Sequence, residues 1–269
     1  MQLAQQAKRC FQPFSADAIE YAYAVSNASA SCRLQTERLW QGILGYTGGQ
    51  TATSETEFVM QQNALVALNG EHYYRAAASS YPDSWNIRDN HMHQTIRRLL
   101  AFHGPEAKMI VWAHNTHVGD ARYTDMVDGG MINIGQLARE EFGKENVYIV
   151  GFGSYSGSVI AADDWGSAIE TMKVPQAKQG SLEELLHQQS AVNKILFSNE
   201  LKEQNELANK IGHRAIGVQY NPNQESGNYV PSVIPDRYDT FIFIDKSTAL
   251  HPLGTQARSE PPDTYPSGY

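Results

Sequence analysis

The sequence predicts an α/β protein in which a helical segment lies beside an open, mostly parallel β-sheet. Before Gly104 the chain is rich in helix-forming residues, with apolar positions at three- and four-residue steps. After it, residues 108–113 and 240–244 form short, almost continuously apolar runs. Such runs are typical of strands that are buried on both faces, as in parallel sheets covered by helices.

The elements follow in order along the chain. Helices are predicted over residues 4–12, 16–44, 54–78, 85–103, 133–142 and 181–189, and strands over residues 108–113, 147–152, 158–161, 170–174, 194–197, 215–220 and 240–244. The strands at 108–113 and 147–152 flank a helix, which predicts a right-handed βαβ unit. We expect one domain over residues 1–250, with a helical part (1–106) and an α/β part (107–250). The Pro- and Gly-rich stretch 251–269 is predicted to be a disordered tail.

Composition limits the classes of partner. A net charge of −8 argues against nucleic acid and against an anionic membrane surface, because both bind cationic proteins. No run approaches the roughly 18 apolar residues of a membrane-spanning helix, and residues 1–11 do not resemble a signal peptide. The two cysteines, Cys10 and Cys32, are expected to be reduced, buried thiols. These features predict a cytoplasmic protein.

The densest polar cluster follows the predicted strand 108–113. Its chemically interesting members are His114, Asn115, His117, Asp120 and Arg122. Ligands of open α/β sheets bind beyond the carboxyl ends of the strands. The histidines could act as acid or base, could bind a substrate carbonyl or developing oxyanion, or could hold a metal with Asp120 as third ligand. The alternative is that these side chains only cap the end of the strand.

Two further stretches are candidates. Near the start of the predicted helix 85–103, Arg88 and Asp89 could position a carbonyl or anionic group, although a simple Arg–Asp contact explains the spacing equally well. Residues 151–157 contain three glycines but no nucleophile elbow, because Tyr155 stands where the serine would be. A glycine turn is the favoured interpretation there. The scattered histidines, His213 among them, are interpreted as surface or core residues.

Three blocks together resemble the erythromycin esterase family: Trp85-Asn-x-Arg-Asp-x-His-Met92, Val111-Trp-Ala-His-Asn-Thr-His-Val-Gly-Asp-Ala-Arg122 and Val150-Gly-Phe-Gly-Ser-Tyr-Ser-Gly157. The resemblance implies a hydrolase that cleaves an ester or lactone with a histidine-activated water molecule, without a cofactor. Resistance members of that family act on macrolide antibiotics. It implies catalytic roles for His114 and His117. We expect the substrate to be bound by Trp85, Arg88, Asn115, Asp120 and Arg122.

The sequence departs from the family pattern at its beginning. The Gly-Glu-x-x-His-Gly block that carries the family's general-base histidine does not occur. We therefore expect an N-terminally truncated fold that hydrolyses poorly alone, exposes an apolar sheet edge, and needs a segment N-terminal to Met1 as its partner. The alternatives are a haem- or metal-binding protein of a related fold, and a catalytically inactive remnant.

Overall fold

The structure is a computed structural model that describes residues 2–14, 18–27, 31–49, 51–77, 82–164 and 167–251. Its helices are α1 (Gln2–Phe11), α2 (Ala18–Asn27), α3 (Arg33–Thr47), α4 (Glu55–Ala77), α5 (Asp83–His103), α6 (Asn115–Val118), α7 (Ile134–Phe142), α8 (Leu182–Gln189), α9 (Ser198–Lys202) and α10 (Ile234–Arg237). Its strands are β1 (Val150–Ala161), β2 (Glu170–Val174), β3 (Lys194–Phe197), β4 (Ile211–Arg214), β5 (Tyr229–Ser232) and β6 (Thr240–Ser247). The predicted tail, from residue 252 onward, lies outside the described residues.

The helical part is organised around α4, which packs against α2, α3 and α5. The predicted single helix over residues 16–44 is wrong, because Ser31 and Cys32, directly before α3, are not helical. Cys32, at the start of α3, forms a disulfide with Cys10 of α1, so the expectation of two reduced thiols is also wrong. The packing of α1 on α3 brings these distant positions together. No described helix is both long and apolar enough to cross a membrane.

A mixed four-stranded sheet confirms the α/β fold class. Its strand order is β2-β1-β6-β3, with β1 and β6 parallel at the centre and the two outer strands antiparallel to them. A separate antiparallel pair is formed by β4 and β5. Phe241 and Phe243 of β6 are fully buried and pack with apolar side chains of α8. Since these residues alternate along β6, one face of the strand forms the core.

The stretch 151–157, predicted as a glycine turn, is instead part of the long strand β1. Its glycines permit close packing. A Cβ atom on Gly153 would lie 2.7 Å from Phe241 Cζ and 2.9 Å from Glu183 Oε1. The predicted turn is wrong because these glycines allow neighbouring elements to pack closely against β1, and the chain does not change direction here.

Residues 108–113 do not form the strand that the sequence predicts. They pair with no described strand, and Ile110 and Trp112 are 93% and 87% exposed. The βαβ unit is therefore incomplete among the described residues, although its helix is present as α7 with Asn133 as N-cap. The apolar composition of this run suits a buried segment, yet Ile110 and Trp112 are exposed. The described chain contains no strand that buries it.

The predicted strand at 215–220 is wrong for a related reason. Only one isolated bridge, between Ala162 and Gln219, joins this stretch to a neighbour. The Ala162 amide donates to Val218 O and the Tyr220 amide donates to Ala162 O, so the contact with β1 extends over a single residue. An apolar, β-branched composition suits a strand but does not supply a partner for the rest of its length.

A wide apolar groove lies where the predicted strand 108–113 would enter a sheet. Its volume is about 1620 Å³. Its walls are α5, α7, residues 107–115 and the first part of β1, with Leu100, Trp112, Ala138 and Phe152 among the side chains. Of the candidate site residues, His114 and Asn115 line this groove, whereas Trp85, Arg88, Asp89 and His117 are not among its lining residues.

Candidate active site

The short helix α6 and the start of α5 hold the candidate site. His114 is the N-cap of α6: its Nδ1 accepts a hydrogen bond from the Thr116 amide. His117 follows one turn later and faces α5. On α5, Trp85, Arg88 and Asp89 stand at three- and four-residue steps, so they share one face of the helix. Two segments that are distant in sequence thus present their polar side chains to each other.

Asp89 and His117 form a hydrogen-bonded dyad. His117 Nδ1 lies 2.8 Å from Asp89 Oδ1, and the Asp89 side chain is fully buried. The other carboxylate oxygen, Oδ2, accepts a hydrogen bond from the amide of Ile134 at the first residue of α7. Because the carboxylate can only accept, Nδ1 of His117 carries the proton. The dyad therefore fixes both the orientation and the tautomer of the imidazole.

Arg88 and Trp85 complete the surroundings of His117. Arg88 Nη2 lies 2.9 Å from His117 Nε2, and since a guanidinium is only a donor, Nε2 accepts. The Trp85 ring stacks on the imidazole with centroids 4.5 Å apart and planes 5° from parallel. Arg88 lies over the Trp85 ring and has no ion pair with any described carboxylate. The Arg88 guanidinium thus faces the lone pair at His117 Nε2. The Nε atom of Arg88 has no hydrogen-bond partner among the described residues.

His114 uses both of its ring nitrogens for contacts within the chain. Besides the cap at Nδ1, its Nε2 lies 2.9 Å from the Ile216 carbonyl, which requires a proton on Nε2. The side chain lines the groove. Loss of solvation at the groove wall lowers the pKa of His114, while the Ile216 carbonyl opposes this shift. Of the two predicted histidines, His114 therefore lies on the groove, and His117 carries at Nε2 the lone pair that faces Arg88.

Asn115 links α6 to the sheet. Its Nδ2 donates to Phe152 O at 2.5 Å and its Oδ1 accepts from the Phe152 amide at 3.1 Å. The side chain thus pairs with β1 as the backbone of a neighbouring strand would. Its backbone carbonyl accepts a hydrogen bond from the buried Arg237. These contacts leave the amide group of Asn115 engaged within the protein.

Asp120 and Arg122, expected to bind substrate, belong to a buried ion-pair network. Asp120 is fully buried, pairs with Arg122 at 2.7 Å and contacts Arg139 at 3.2 Å. Arg139 also pairs with Asp239, which joins α7 to the start of β6. Neither Asp120 nor Arg122 is among the residues that line the groove. Their contacts explain how the end of the polar cluster is anchored, and their substrate-binding role stays a prediction.

The sequence does not reveal the partners of two residues. Asp89 is predicted to position a carbonyl or anionic group together with Arg88, or to contact Arg88, whereas the structure pairs it with His117. The signal available in the sequence is its position four residues after Trp85, on the same helix face. His213, interpreted as a surface or core residue, is fully buried in the core, where its ring nitrogens lie beside Asn115 and Glu183. Nothing in the local sequence connects these three positions.

Among the described residues, no group of three potential ligands could hold a metal ion.

Comparison with known proteins places the chain beside one family. The family model described as erythromycin esterase matches residues 1–247. A crystal structure of a Bacillus cereus protein is similar with a TM-score of 0.68 and 14% identity, covering 92% of this chain and 60% of that one. A histidine-to-asparagine mutant of the erythromycin esterase EreC, in its open conformation, matches with a TM-score of 0.54 and 13% identity over 84% of this chain and 53% of its own. The chain thus spans less than two thirds of either solved protein.

Proposed function

Because the chain belongs to the erythromycin esterase family, we propose that it takes part in hydrolysing an ester or lactone by histidine-assisted attack of water. Membership supports a hydrolase of that family. The observation that carries the chemical proposal is the ordered series Asp89, His117 and Arg88, with hydrogen bonds of 2.8 and 2.9 Å on either side of the imidazole. A buried carboxylate that holds one ring nitrogen leaves the other free to take a proton.

The proposed reaction begins when a substrate carbonyl draws Arg88 away from His117. His117 Nε2 then accepts a proton from water as the water oxygen bonds to the carbonyl carbon. The Asp89 carboxylate stabilises the resulting imidazolium, and the Arg88 guanidinium stabilises the developing oxyanion. When the tetrahedral intermediate collapses, the bond to the alkoxide breaks and the imidazolium returns its proton to the leaving oxygen. No covalent enzyme intermediate is needed, which agrees with the absence of a nucleophile elbow in β1.

The other predicted residues have supporting roles in this proposal. Trp85 fixes the plane of the His117 ring by stacking, and Asn115 fixes α6 against β1. His114 presents its ring edge to the groove and interacts with bound substrate there. The groove is lined mainly by apolar side chains, which suits a substrate with a large apolar body. A macrolide lactone, and thus a role in antibiotic resistance, is one candidate that fits this description.

We further propose that an additional strand-forming segment of polypeptide completes the site, as expected for a segment N-terminal to Met1. The support is physical: residues 108–113 line the groove, belong to no described strand or helix, and expose Ile110 and Trp112. Pairing with a strand would satisfy their backbone groups and cover that apolar surface. Such a segment could also bring a carboxylate or histidine to the site.

A hydrolysis screen tests the proposal. The 269-residue chain, and any in-frame upstream extension of it, are incubated with a panel of esters and lactones that includes macrolides, and products are followed by mass spectrometry. We expect the extended form to hydrolyse at least one compound, the chain alone to do so poorly, and His117→Ala to lose activity. His114→Ala serves as the comparison for a residue that contacts substrate without carrying the proton. Absence of hydrolysis in every form would overturn the proposal.

A further inference from the structure

Behind the candidate site lies a second histidine–carboxylate pair. His213 of β4 and Glu183 of α8 are both fully buried, with 2.6 Å between His213 Nδ1 and Glu183 Oε1. The rings of Tyr238 and Phe241 enclose the imidazole in edge-on contacts. Burial of an imidazole and a carboxylate contributes little to stability, because the loss of solvation of both groups offsets the hydrogen bond between them. Packing alone therefore does not explain why the core contains this pair.

The position and contacts of Glu183 make it a hydrogen-bond acceptor for His213. The residue lies in the first turn of α8, after the N-cap Ser181, where the helix dipole favours a negative charge. Its Oε1 accepts hydrogen bonds from His213 Nδ1 and from the Arg214 amide. Close approach of β1 is possible only because residue 153 is glycine, as a Cβ there would lie 2.9 Å from Glu183 Oε1. Glu183 therefore directs the His213 proton to Nδ1.

The fixed tautomer connects the pair to α6. With its proton on Nδ1, His213 presents a lone pair at Nε2, which lies 3.4 Å from Asn115 Nδ2. The same Nδ2 donates to Phe152 O. The Nδ2 group of Asn115 thus donates toward two acceptors, and its Oδ1 accepts from the Phe152 amide. A flip of the Asn115 amide would place Oδ1 against two acceptors and Nδ2 against the N–H donor of Phe152.

We propose that Glu183 and His213 are positioning residues that act through Asn115 to hold α6, with its N-cap His114 and its own His117, against the sheet. Neither residue lines the groove. Their effect on chemistry runs through the orientation of His114 and His117, and so rests on the proposed function. A displacement of about 1 Å at a reacting group can reduce a rate by about 100-fold. The alternative is that the pair only stabilises the core.

Glu183→Gln distinguishes the two roles, with Glu184→Gln as the matched control. Both substitutions remove one carboxylate from the first turn of α8, but Glu184 contacts Gly180 and Gln188 instead of His213. The protein is labelled with ¹⁵N in its histidines, and long-range ¹H–¹⁵N spectra report tautomer and environment for each ring. In the unmodified chain we expect His213 and His117 as Nδ1–H tautomers and His114 as the Nε2–H tautomer.

We expect Glu183→Gln to shift the ring signals of His114 and His117, and to lower ester hydrolysis about 10- to 100-fold in kcat with little change in KM. Glu184→Gln should leave both unchanged. Signals of His114 and His117 that coincide with those of the unmodified chain, in a folded Glu183→Gln protein, would overturn the positioning role. If Glu183→Gln does not fold, His213→Asn, which keeps a donor near Glu183 but does not reach Asn115, is judged by the same spectra. The spectra need no substrate, so absence of hydrolysis in every form of the chain, the extended form included, would refute the proposed function alone.

Discussion

Asp89→Asn is the substitution that examines the dyad most closely. The carboxylate accepts from two donors, His117 Nδ1 and the Ile134 amide. An asparagine has only one acceptor oxygen, so one of these donors must face an NH₂ group. If the oxygen stays on Ile134, His117 changes tautomer, and its new Nε2–H then faces the donor Arg88. If the oxygen stays on His117, the buried Ile134 amide loses its partner.

Either outcome has a measurable size. Loss of a buried hydrogen bond to a charged group is expected to lower the free energy of unfolding by about 1.5–3 kcal/mol. Loss of the correctly protonated base is expected to lower kcat/KM by about 10²–10⁴-fold. Initial rates on the best ester of the panel and thermal unfolding give the two values. Asp120→Asn is the control, since it is equally buried but pairs with arginines. A folded Asp89→Asn protein with an unchanged rate would refute the role of the dyad.

Three further predictions concern stability and surface. Burial lowers the pKa of His213, and loss of solvation lowers the pKa of His114, so protonation of either histidine opposes folding. Denaturant titrations should therefore show the free energy of unfolding falling as the pH drops below about 6.5. An unchanged denaturation midpoint between about pH 7 and pH 5 would contradict this. Reduction of the disulfide across 22 residues should cost about 3 kcal/mol and lower the melting temperature, with Cys10→Ser/Cys32→Ser showing no further response to reductant. Replacing the exposed Ile110 and Trp112 with Ser should raise the solubility of the chain with little change in melting temperature. Ile134→Ser, at a buried site, should unfold the protein. Equal destabilisation by the two changes would contradict the exposure of Ile110 and Trp112.

Elements whose signals are local could be predicted from the sequence. Helix α7 begins after Asn133, whose side chain accepts from the Gln136 amide, and α8 begins after Ser181 in the same way. Caps and helical periodicity involve residues a few positions apart, so the sequence displays them directly. The same locality explains why Trp85, Arg88 and the histidines of α6 could be selected as site residues.

Features that depend on distant contacts could not be predicted. Residues 108–113 are apolar enough for a strand, but composition does not state whether a neighbouring strand exists. The pairing of His213 with Glu183, 30 positions apart, arises from the packing of β4 on α8. Likewise, Asp120 looked like a ligand because of its neighbours in sequence, while its partner Arg139 comes from α7. In each case the sequence supplies the chemical group and the tertiary structure supplies its partner.

Hydrolysis in ¹⁸O-labelled water, followed by mass spectrometry of both product and protein, tests the central claim most directly. The account predicts one ¹⁸O atom in the acid product, no acylated protein at any time, and a loss of turnover in His117→Ala that exceeds the loss in His114→Ala. A trapped acyl adduct on the protein, or full turnover by His117→Ala, would contradict the claim that the Asp89-oriented imidazole delivers water to the substrate.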